Sequence, residues 1–414
     1  MGFQDFAAGS FARNPACGVA ALGFLCGADL AFAQSSRETE ETPSFAFDVV
    51  YTGDIWTNTH GGLAKDEKYL DNLDVTLSID AEQAFGLTGG TFFFYVLSNN
   101  STTLSDTVLG DLQVASNIDT GYATRLYEAW YEQVFADGRG ALKVGLYDLN
   151  SEFDAMDTAG LFLSSSHGIG PDFSQSGENG PSIFPSASLA ARLQYQITDS
   201  VLVRAAIFDG VPGDPNRPRR TAIKLGNGDG ALLAAEVEAD LDGTIATVGG
   251  WHYTSKFDEQ LAIDPATLGP KQSNGNSGIY VEAERQVTSP FGDARGLSMF
   301  GRFGIANGKI NQLSRYAGGG LAYTGLFDAR PDDVAGFAIA HAVNGDTFRT
   351  LQTAAGTPVD KAETSFEFTY RAQLTDWLAI QPDVQWIVNP GTDPTLKDAV
   401  AIGLRFEVGF GVSR

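Results

Sequence analysis

Residues 73–82 read LDVTLSIDAE, with an apolar residue at every odd-numbered position and a polar or charged residue at every even-numbered one. Successive side chains of a β-strand point to opposite faces, so this period of two predicts a strand with one face that avoids water. The same alternation recurs at 363–374 and at 400–410. Each run is close to the ~10 residues that a tilted membrane-spanning strand needs.

Similar runs along the rest of the chain bring the predicted number of strands to about sixteen. They lie near residues 45–57, 91–98, 122–135, 140–148, 187–198, 201–209, 230–241, 244–254, 278–287, 297–306, 315–325, 334–343 and 377–388. Short turns rich in Gly and Asp separate some of them, at 87–90, 136–140, 240–243 and 291–294. Long loops rich in Gly, Pro, Asn or Ser are predicted at 149–185, 210–228 and 255–277. Alternating short turns and long loops are typical of outer-membrane barrels.

Composition supports the same class of protein. The chain has 414 residues with 48 Gly, 28 Phe and 13 Tyr, and no stretch of 18 consecutive apolar residues that could form a spanning helix. Its formal net charge of −24 opposes binding to nucleic-acid phosphates. A large soluble β-sandwich or β-helix would also alternate, but a sandwich need not place aromatic residues near strand ends as a membrane barrel does. Such residues include Phe45, Tyr51, Phe92, Tyr127, Phe135, Tyr195, Phe208, Tyr280, Phe406 and Phe410.

The first 33 residues are predicted to be a secretory signal peptide. Arg13 precedes a small, apolar run at 16–27, and Ala31-Phe32-Ala33 fits the A-x-A cleavage pattern. The run is too short to span a bilayer. Residues 34–414 then form the barrel domain, and cleavage removes the only two cysteines, Cys17 and Cys26.

Several blocks of this sequence resemble the carbohydrate-selective porins of the OprB family. They are RLYEAWYEQ at 125–133, GLYDLNSEFD at 145–154, SSSHGIGP at 164–171, NGPSIFP at 179–185 and QPDVQWIVNPG at 381–391, with further matches at 208–215 and 325–333. The family's usual Asn-Ser-Ser-Phe-Gly reads Ser-Ser-Ser-His-Gly here, at 164–168. The resemblance spans essentially the whole mature chain. It implies a sixteen-stranded barrel in a Gram-negative outer membrane that passes sugars passively through a channel narrowed by inward-folded loops.

A sugar channel needs hydrogen-bonding charged groups and an aromatic face on its inner wall. With the apolar faces turned to lipid, the inward faces carry a predicted ladder of arginines, Arg192, Arg204, Arg302, Arg371 and Arg405, together with Lys143. Each arginine could instead pair with a neighbouring carboxylate. On the strand at 122–135, Tyr127, Tyr131 and Phe135 share the side expected to meet lipid. Glu128 and Trp130 would then line the pore, with Trp130 either stacking on a sugar or packing in the wall.

The loop at 149–185 is too long for a hairpin and is expected to fold into the barrel and set the constriction. Its acidic residues are Glu152, Asp154, Asp157 and Asp172. A basic cluster in another loop, at 217–224, is expected to be solvated, or else to bind lipopolysaccharide phosphates or to line the entrance of the channel. The expected partners are mono- or small oligosaccharides, outer-membrane lipid and lipopolysaccharide, and the chain would be a monomer or a homo-oligomer.

Catalysis finds little support in the sequence. The four histidines are scattered without metal-ligand spacing, so no metal or cofactor is expected. Ser164 to Ser166 precede His167, but no G-x-S-x-G nucleophile elbow is present. Two other readings remain, namely an outer-membrane barrel enzyme of the lipase or esterase type and a structural barrel with an occluded lumen.

Overall fold

The computed structural model describes residues 44–100, 103–226, 228–290 and 292–413. These residues form sixteen antiparallel strands, each hydrogen-bonded to the next along the chain, and β16 closes the barrel by pairing with β1. Closure satisfies the backbone groups that an open sheet would leave at its edges. The predicted fold class, an all-β transmembrane antiparallel barrel of about sixteen strands, is confirmed. The predicted signal peptide at 1–33 lies outside the described residues.

The strands are β1 (Phe45–His60), β2 (Glu67–Asp80), β3 (Gly90–Asn99), β4 (Ala123–Phe135), β5 (Gly140–Tyr147), β6 (Ser188–Thr198), β7 (Val201–Asp209), β8 (Ala231–Asp240), β9 (Thr244–Ile263), β10 (Pro270–Gln286), β11 (Gly296–Ala306), β12 (Leu313–Thr324), β13 (Val334–Asn344), β14 (Ala362–Thr375), β15 (Leu378–Val388) and β16 (Ala399–Ser413). The helices are short: α1 (Ala81–Phe85), α2 (Ser165–Gly168), α3 (Pro171–Ser174) and α4 (Asp346–Ala354). No helix in the described part of the chain has the length and apolar character needed to cross a bilayer.

The two ends of the barrel differ in the length of their connections. At one end, called here the short-turn end, tight turns such as 199–200, 241–243 and 376–377 join the strands. At the other, the loop end, the connections after β3, β5, β7 and β13 are much longer. The connection after β5, residues 148–187, contains α2 and α3.

Alternation along each strand separates an outer apolar face from an inner polar one. In β16, the side chains of Ile402 and Leu404 are 44% and 41% exposed, whereas Arg405 beside them is only 5% exposed. Phe368 of β14 is likewise exposed, and Glu367 next to it is fully buried. The apolar outer face matches a lipid-facing surface, and the polar residues point into the lumen.

One predicted loop is a strand pair instead. Residues 255–277 were expected to be a long loop, but β9 continues to Ile263 and β10 begins at Pro270. Cross-strand polar contacts hold this extension together, including the Ser273 hydroxyl, which donates to Glu259 at 2.9 Å. The expectation was wrong because polar pairs can stabilise a hairpin without apolar alternation.

Three aromatic residues expected near the lipid interface lie inside the barrel. Tyr127 is the extra residue of a β-bulge in β4, since Tyr95 pairs with Glu128 and Val96 pairs with Leu126. An extra residue reverses the alternation, which places Tyr127 inside, packed against Tyr95 with ring centroids 5.1 Å apart. Phe208 and Tyr280 are also buried among lumenal aromatic residues rather than facing lipid.

Candidate functional site: the lumen and its inner loops

Residues 148–187, called here the inner loop, contact the inner faces of strands on several sides of the barrel. Carboxylates of the wall accept hydrogen bonds from pairs of loop backbone amides. Glu284 of β10 accepts from the amides of residues 157 and 158 at 3.1 and 2.8 Å. Glu367 of β14 accepts from the amides of residues 163 and 164 at 2.5 and 3.1 Å. Backbone groups that leave water are therefore satisfied by the wall itself.

Arg302 of β11 clamps two parts of the inner loop. Its Nε and Nη2 donate to Asp154 at 2.5 and 2.6 Å, and its Nη1 donates to Asp172 at 2.6 Å. Burial raises the pKa of Asp172, while the Arg302 guanidinium acts in the opposite direction. Gly304 lies on the same face of β11, and a Cβ there would be 2.2 Å from an Asp172 oxygen. Glycine at position 304 therefore allows the Asp172 carboxylate to approach β11 closely.

Glu152 forms a second anchor near the beginning of the inner loop. Its carboxylate accepts from Lys143 Nζ of β5 at 2.6 Å and from Arg192 Nε and Nη2 of β6 at 2.6 and 2.5 Å. Arg192 also donates to Glu132 of β4. Burial alone would raise the pKa of Glu152, but the charges of Lys143 and Arg192 outweigh it and hold that pKa well below its usual value.

A second segment inside the barrel, the companion loop at 103–122, was not predicted. The guanidinium of Arg405 in β16 donates to Asp54 of β1 at 2.7 and 2.9 Å, and the hydroxyl of Ser116 in this loop donates to Asp54 at 2.7 Å. Glu363 of β14 accepts from the loop amides of residues 112 and 113 at 2.8 and 3.0 Å. The companion loop therefore uses the same kinds of anchor as the inner loop.

The anchoring contacts of eight residues were not predicted from the sequence, although alternation did turn two of them, Glu236 and Glu284, inward. The eight residues are Asp54, Ser116, Glu236, Glu284, Glu363, Glu367, Gln381 and Gln385. The available signal was weak. The inward faces of the strands did show acidic residues, but nothing in the spacing indicated which loop amides would reach them.

Trp130 and Glu128 lie on the lumenal face, where the sequence placed them. The indole stacks on Phe93 with ring centroids 4.9 Å apart, and Lys143 Nζ lies 4.2 Å from the indole ring centroid. The indole Nε1 of Trp130 donates to Glu128 at 3.1 Å, and Glu128 also accepts from the Asp148 amide at 3.1 Å. Trp130 is nearly fully buried, so packing accounts for its ring in this structure. Sugar stacking on Trp130 stays a prediction.

Three arginines of the predicted ladder are buried, and the other two, called water-reaching here, remain partly exposed. The side chains of Arg192, Arg302 and Arg405 are 1%, 3% and 5% exposed. Arg204 of β7 is 13% exposed and pairs with Glu236 and with Glu238, which is 23% exposed. Arg371 of β14 is 10% exposed and pairs at 2.8 Å with Glu407, which is 13% exposed. Both water-reaching pairs lie in the half of the lumen next to the short turns.

His167 and the serines before it do not form a catalytic arrangement. Neither ring nitrogen of His167 nor the Ser164 hydroxyl has a hydrogen-bond partner among the described residues. The imidazole instead packs against Phe162 and Phe300, with centroids 5.2 and 5.8 Å away. Burial lowers the pKa of His167 to about 3, so the ring is neutral at physiological pH. Within the described ranges, no three His, Cys, Asp or Glu residues are grouped so that they could hold a metal ion.

The predicted basic cluster at 217–224 lies on the surface at the loop end. Its connection, between β7 and β8, folds beside the outer part of β4, where the Thr124 amide donates to the Arg219 carbonyl at 3.3 Å. The Thr221 hydroxyl donates to the Leu126 carbonyl at 2.8 Å. The cluster therefore lies near the rim of the barrel, where Arg125 of β4 also donates to the Pro218 carbonyl.

Comparisons with known proteins agree with this architecture. The family model of the carbohydrate-selective porins, OprB family, matches residues 64–410. Porin B of Pseudomonas aeruginosa is 26% identical over 407 residues, covering 88% of this chain and 87% of that protein.

Solved structures show the same fold. A high-pH structure of Pseudomonas putida OprB superposes with a TM-score of 0.78 at 24% identity, covering 89% of this chain and 94% of that one. The outer membrane channel DcaP of Acinetobacter baumannii superposes with a TM-score of 0.54 at 8% identity, covering 91% and 100% of the two chains. The family match over most of the chain, on a closed barrel with loops anchored in its lumen, shows that this protein belongs to the OprB family of carbohydrate-selective porins.

Proposed function

We propose that this protein is a passive diffusion channel for neutral sugars, such as glucose and small oligosaccharides, in the outer membrane of a Gram-negative bacterium. Export would remove residues 1–33, the short-turn end would face the periplasm and the loop end would face outside. The solute would cross without covalent chemistry or an energy source. Both monomeric and homo-oligomeric barrels fit this role.

The observation that carries the proposal is the pairing of the water-reaching charges in the lumen. Arg204 is bonded to Glu238, and Arg371 is bonded to Glu407. A lone cation on the wall would attract anions, whereas a bonded pair offers both donors and acceptors with little net charge. A neutral solute covered in hydroxyl groups can exchange hydrogen bonds along such a surface. Binding stays weak enough for the solute to leave.

The predicted site residues then take two roles. We assign Arg204 and Arg371, which are partly exposed to water, to the wall along which the sugar passes. Lys143, whose side chain is 5% exposed and bonded to Glu152, belongs with the loop anchors. Arg192, Arg302 and Arg405 are assigned to anchoring, because their side chains are almost completely buried against carboxylates. The inner loop, held by Glu152, Asp154 and Asp172 and carrying the exposed Asp157, would narrow the channel.

Solute entry into liposomes tests this function. Purified protein is reconstituted, and swelling rates are measured with glucose and with gluconate, an anion of similar size. The expected result is glucose entry at a rate proportional to the protein present, with gluconate entering more slowly because the lumen is rich in carboxylates. Glucose entry no faster than in protein-free liposomes would contradict the proposal, and equal rates for both solutes would contradict the selectivity.

A further inference from the structure

A cavity at the short-turn half of the lumen is lined by four acidic side chains. They are Asp157 of the inner loop, Glu238 of β8, and Glu282 and Glu284 of β10. Among the described residues that line it, none is Lys, Arg or His, and the others include Met156 and Thr247. We call this cavity the acidic vestibule. Carboxylates on the wall of a cleft concentrate a negative potential inside it.

Two of these acids already have partners in the protein, and a third is exposed to water. Glu284 accepts the two inner-loop amides described above, and Glu238 bonds to Arg204 at 3.1 Å. Arg204 also donates hydrogen bonds to Glu236 and to the Glu152 carbonyl. Asp157 is exposed to water, which can hydrate its carboxylate.

Glu282 differs from the other three. Its side chain is only 2% exposed, and neither of its carboxylate oxygens has a hydrogen-bond donor in the part of the chain that the structure describes, although the carboxyl of Asp154 lies beside it. The Nε of Arg302 lies 3.9 Å from Glu282 Oε1, but that nitrogen already donates to Asp154 at 2.5 Å. A buried carboxylate without donors is costly, and a cationic group with N–H donors would offset that cost.

We propose that the acidic vestibule is a subsite for sugars that carry a protonated amine. The ammonium group would donate to Glu282 and be attracted by Glu238, Glu284 and Asp157, since charge-assisted hydrogen bonds are stronger than neutral ones. The Thr247 hydroxyl offers a polar contact for the ring hydroxyls, and Met156 an apolar contact for the C–H face. This inference rests on the proposed sugar channel and adds a preferred class of solute to it.

Uptake of three sugars by liposomes containing the protein tests the subsite. Glucosamine, N-acetylglucosamine and glucose are compared at pH 6, where an aliphatic amine is protonated, and below saturating concentration. Glu282→Gln keeps the shape of the side chain and removes its charge. The ratio of glucosamine to N-acetylglucosamine uptake is expected to fall about three- to tenfold in Glu282→Gln. Glu82→Gln, an equal charge change at an exposed residue of α1, is the matched control and should leave the ratio unchanged.

The outcomes separate this inference from the proposed function. Normal glucose uptake with an unchanged ratio in Glu282→Gln overturns the subsite and leaves the sugar channel standing, whereas absent glucose uptake overturns the channel itself. If the ratio is unchanged and only potassium selectivity shifts, the vestibule attracts small cations and the amino-sugar proposal fails. Should Glu282→Gln fail to fold, competition in the unaltered protein decides. Glucosamine must slow glucose entry more than N-acetylglucosamine does, and equal inhibition overturns the proposal.

Discussion

Replacing Arg302 by methionine should release the inner loop from the barrel wall. Arg302 makes three hydrogen bonds of 2.5–2.6 Å to Asp154 and Asp172, and both carboxylate side chains are completely buried. Arg302→Met keeps an unbranched side chain and leaves two buried carboxylates without their cation. Breaking a buried ion pair in this way costs about 3–5 kcal/mol. That cost shifts the equilibrium between docked and undocked loop by roughly a hundred- to several thousandfold.

Single-channel recording in planar bilayers measures this directly. We expect Arg302→Met to give a larger mean conductance with frequent fluctuations, because an undocked loop leaves the channel wider. The triple variant Arg302→Met, Asp154→Asn, Asp172→Asn removes all three charges, so it should recover much of the steady conductance. Arg285→Met removes an exposed arginine of β10 and serves as the control. A conductance and a noise level equal to those of the unaltered protein in Arg302→Met would refute the anchoring role.

Three further predictions concern the inner loop and the barrel wall. Burial holds the pKa of His167 at about 3 while the loop is docked, below its value in an undocked loop. Docking should therefore be strongest above pH 6.5. As the pH falls from 6.5 towards 3, the free energy of docking should weaken by up to about 1.4 kcal/mol for each pH unit. Undocking widens the channel, so conductance should rise on acidification, and His167→Phe should reduce that rise. If the variant showed the same dependence of conductance on pH, protonation of His167 would not be the cause. Phe368→Arg should lower barrel stability by about 2–4 kcal/mol in a denaturant titration in lipid, since Phe368 faces the bilayer; no loss would contradict its orientation. Glu152→Gln should raise gluconate entry relative to glucose in liposomes, because it removes an anion that balances Lys143 and Arg192, and an unchanged ratio would count against it.

The strands and the inward or outward direction of most side chains could be predicted from the sequence alone. Strict alternation, as at 73–82 and 400–410, fixes both, because a strand with one lipid-facing side tolerates no shift by one residue. Tyr127 shows where this reasoning fails. A bulge adds one residue to β4, and no composition signal marks it. The extension of β9 and β10 was missed for a different reason. Its stabilising contacts are polar pairs across strands, which leave no apolar alternation in the sequence.

The contacts of the site could not be predicted in the same way. Arg302 and its partner Asp154 are 148 residues apart in sequence, and their pairing depends on how the inner loop crosses the lumen. The sequence predicted that an arginine would point inward and that the loop would be acidic, but not which carboxylate would meet which guanidinium. Nothing in the sequence of the companion loop indicated that it enters the barrel, although it donates hydrogen bonds to Asp54 and Glu363 in the same lumen.

We propose that sugar passes through the inside of the barrel, along the wall near the short turns. Glu238 is water-reaching and lumenal, whereas the adjacent Val237 is exposed on the outer face. Single cysteines at these two positions can be treated with a bulky, membrane-impermeant thiol reagent, with the unaltered chain treated in parallel. Glucose influx into liposomes should fall to about half or less after labelling of Glu238→Cys and stay unchanged in Val237→Cys. Complete labelling of Glu238→Cys with undiminished glucose influx would show that sugar does not pass along this wall.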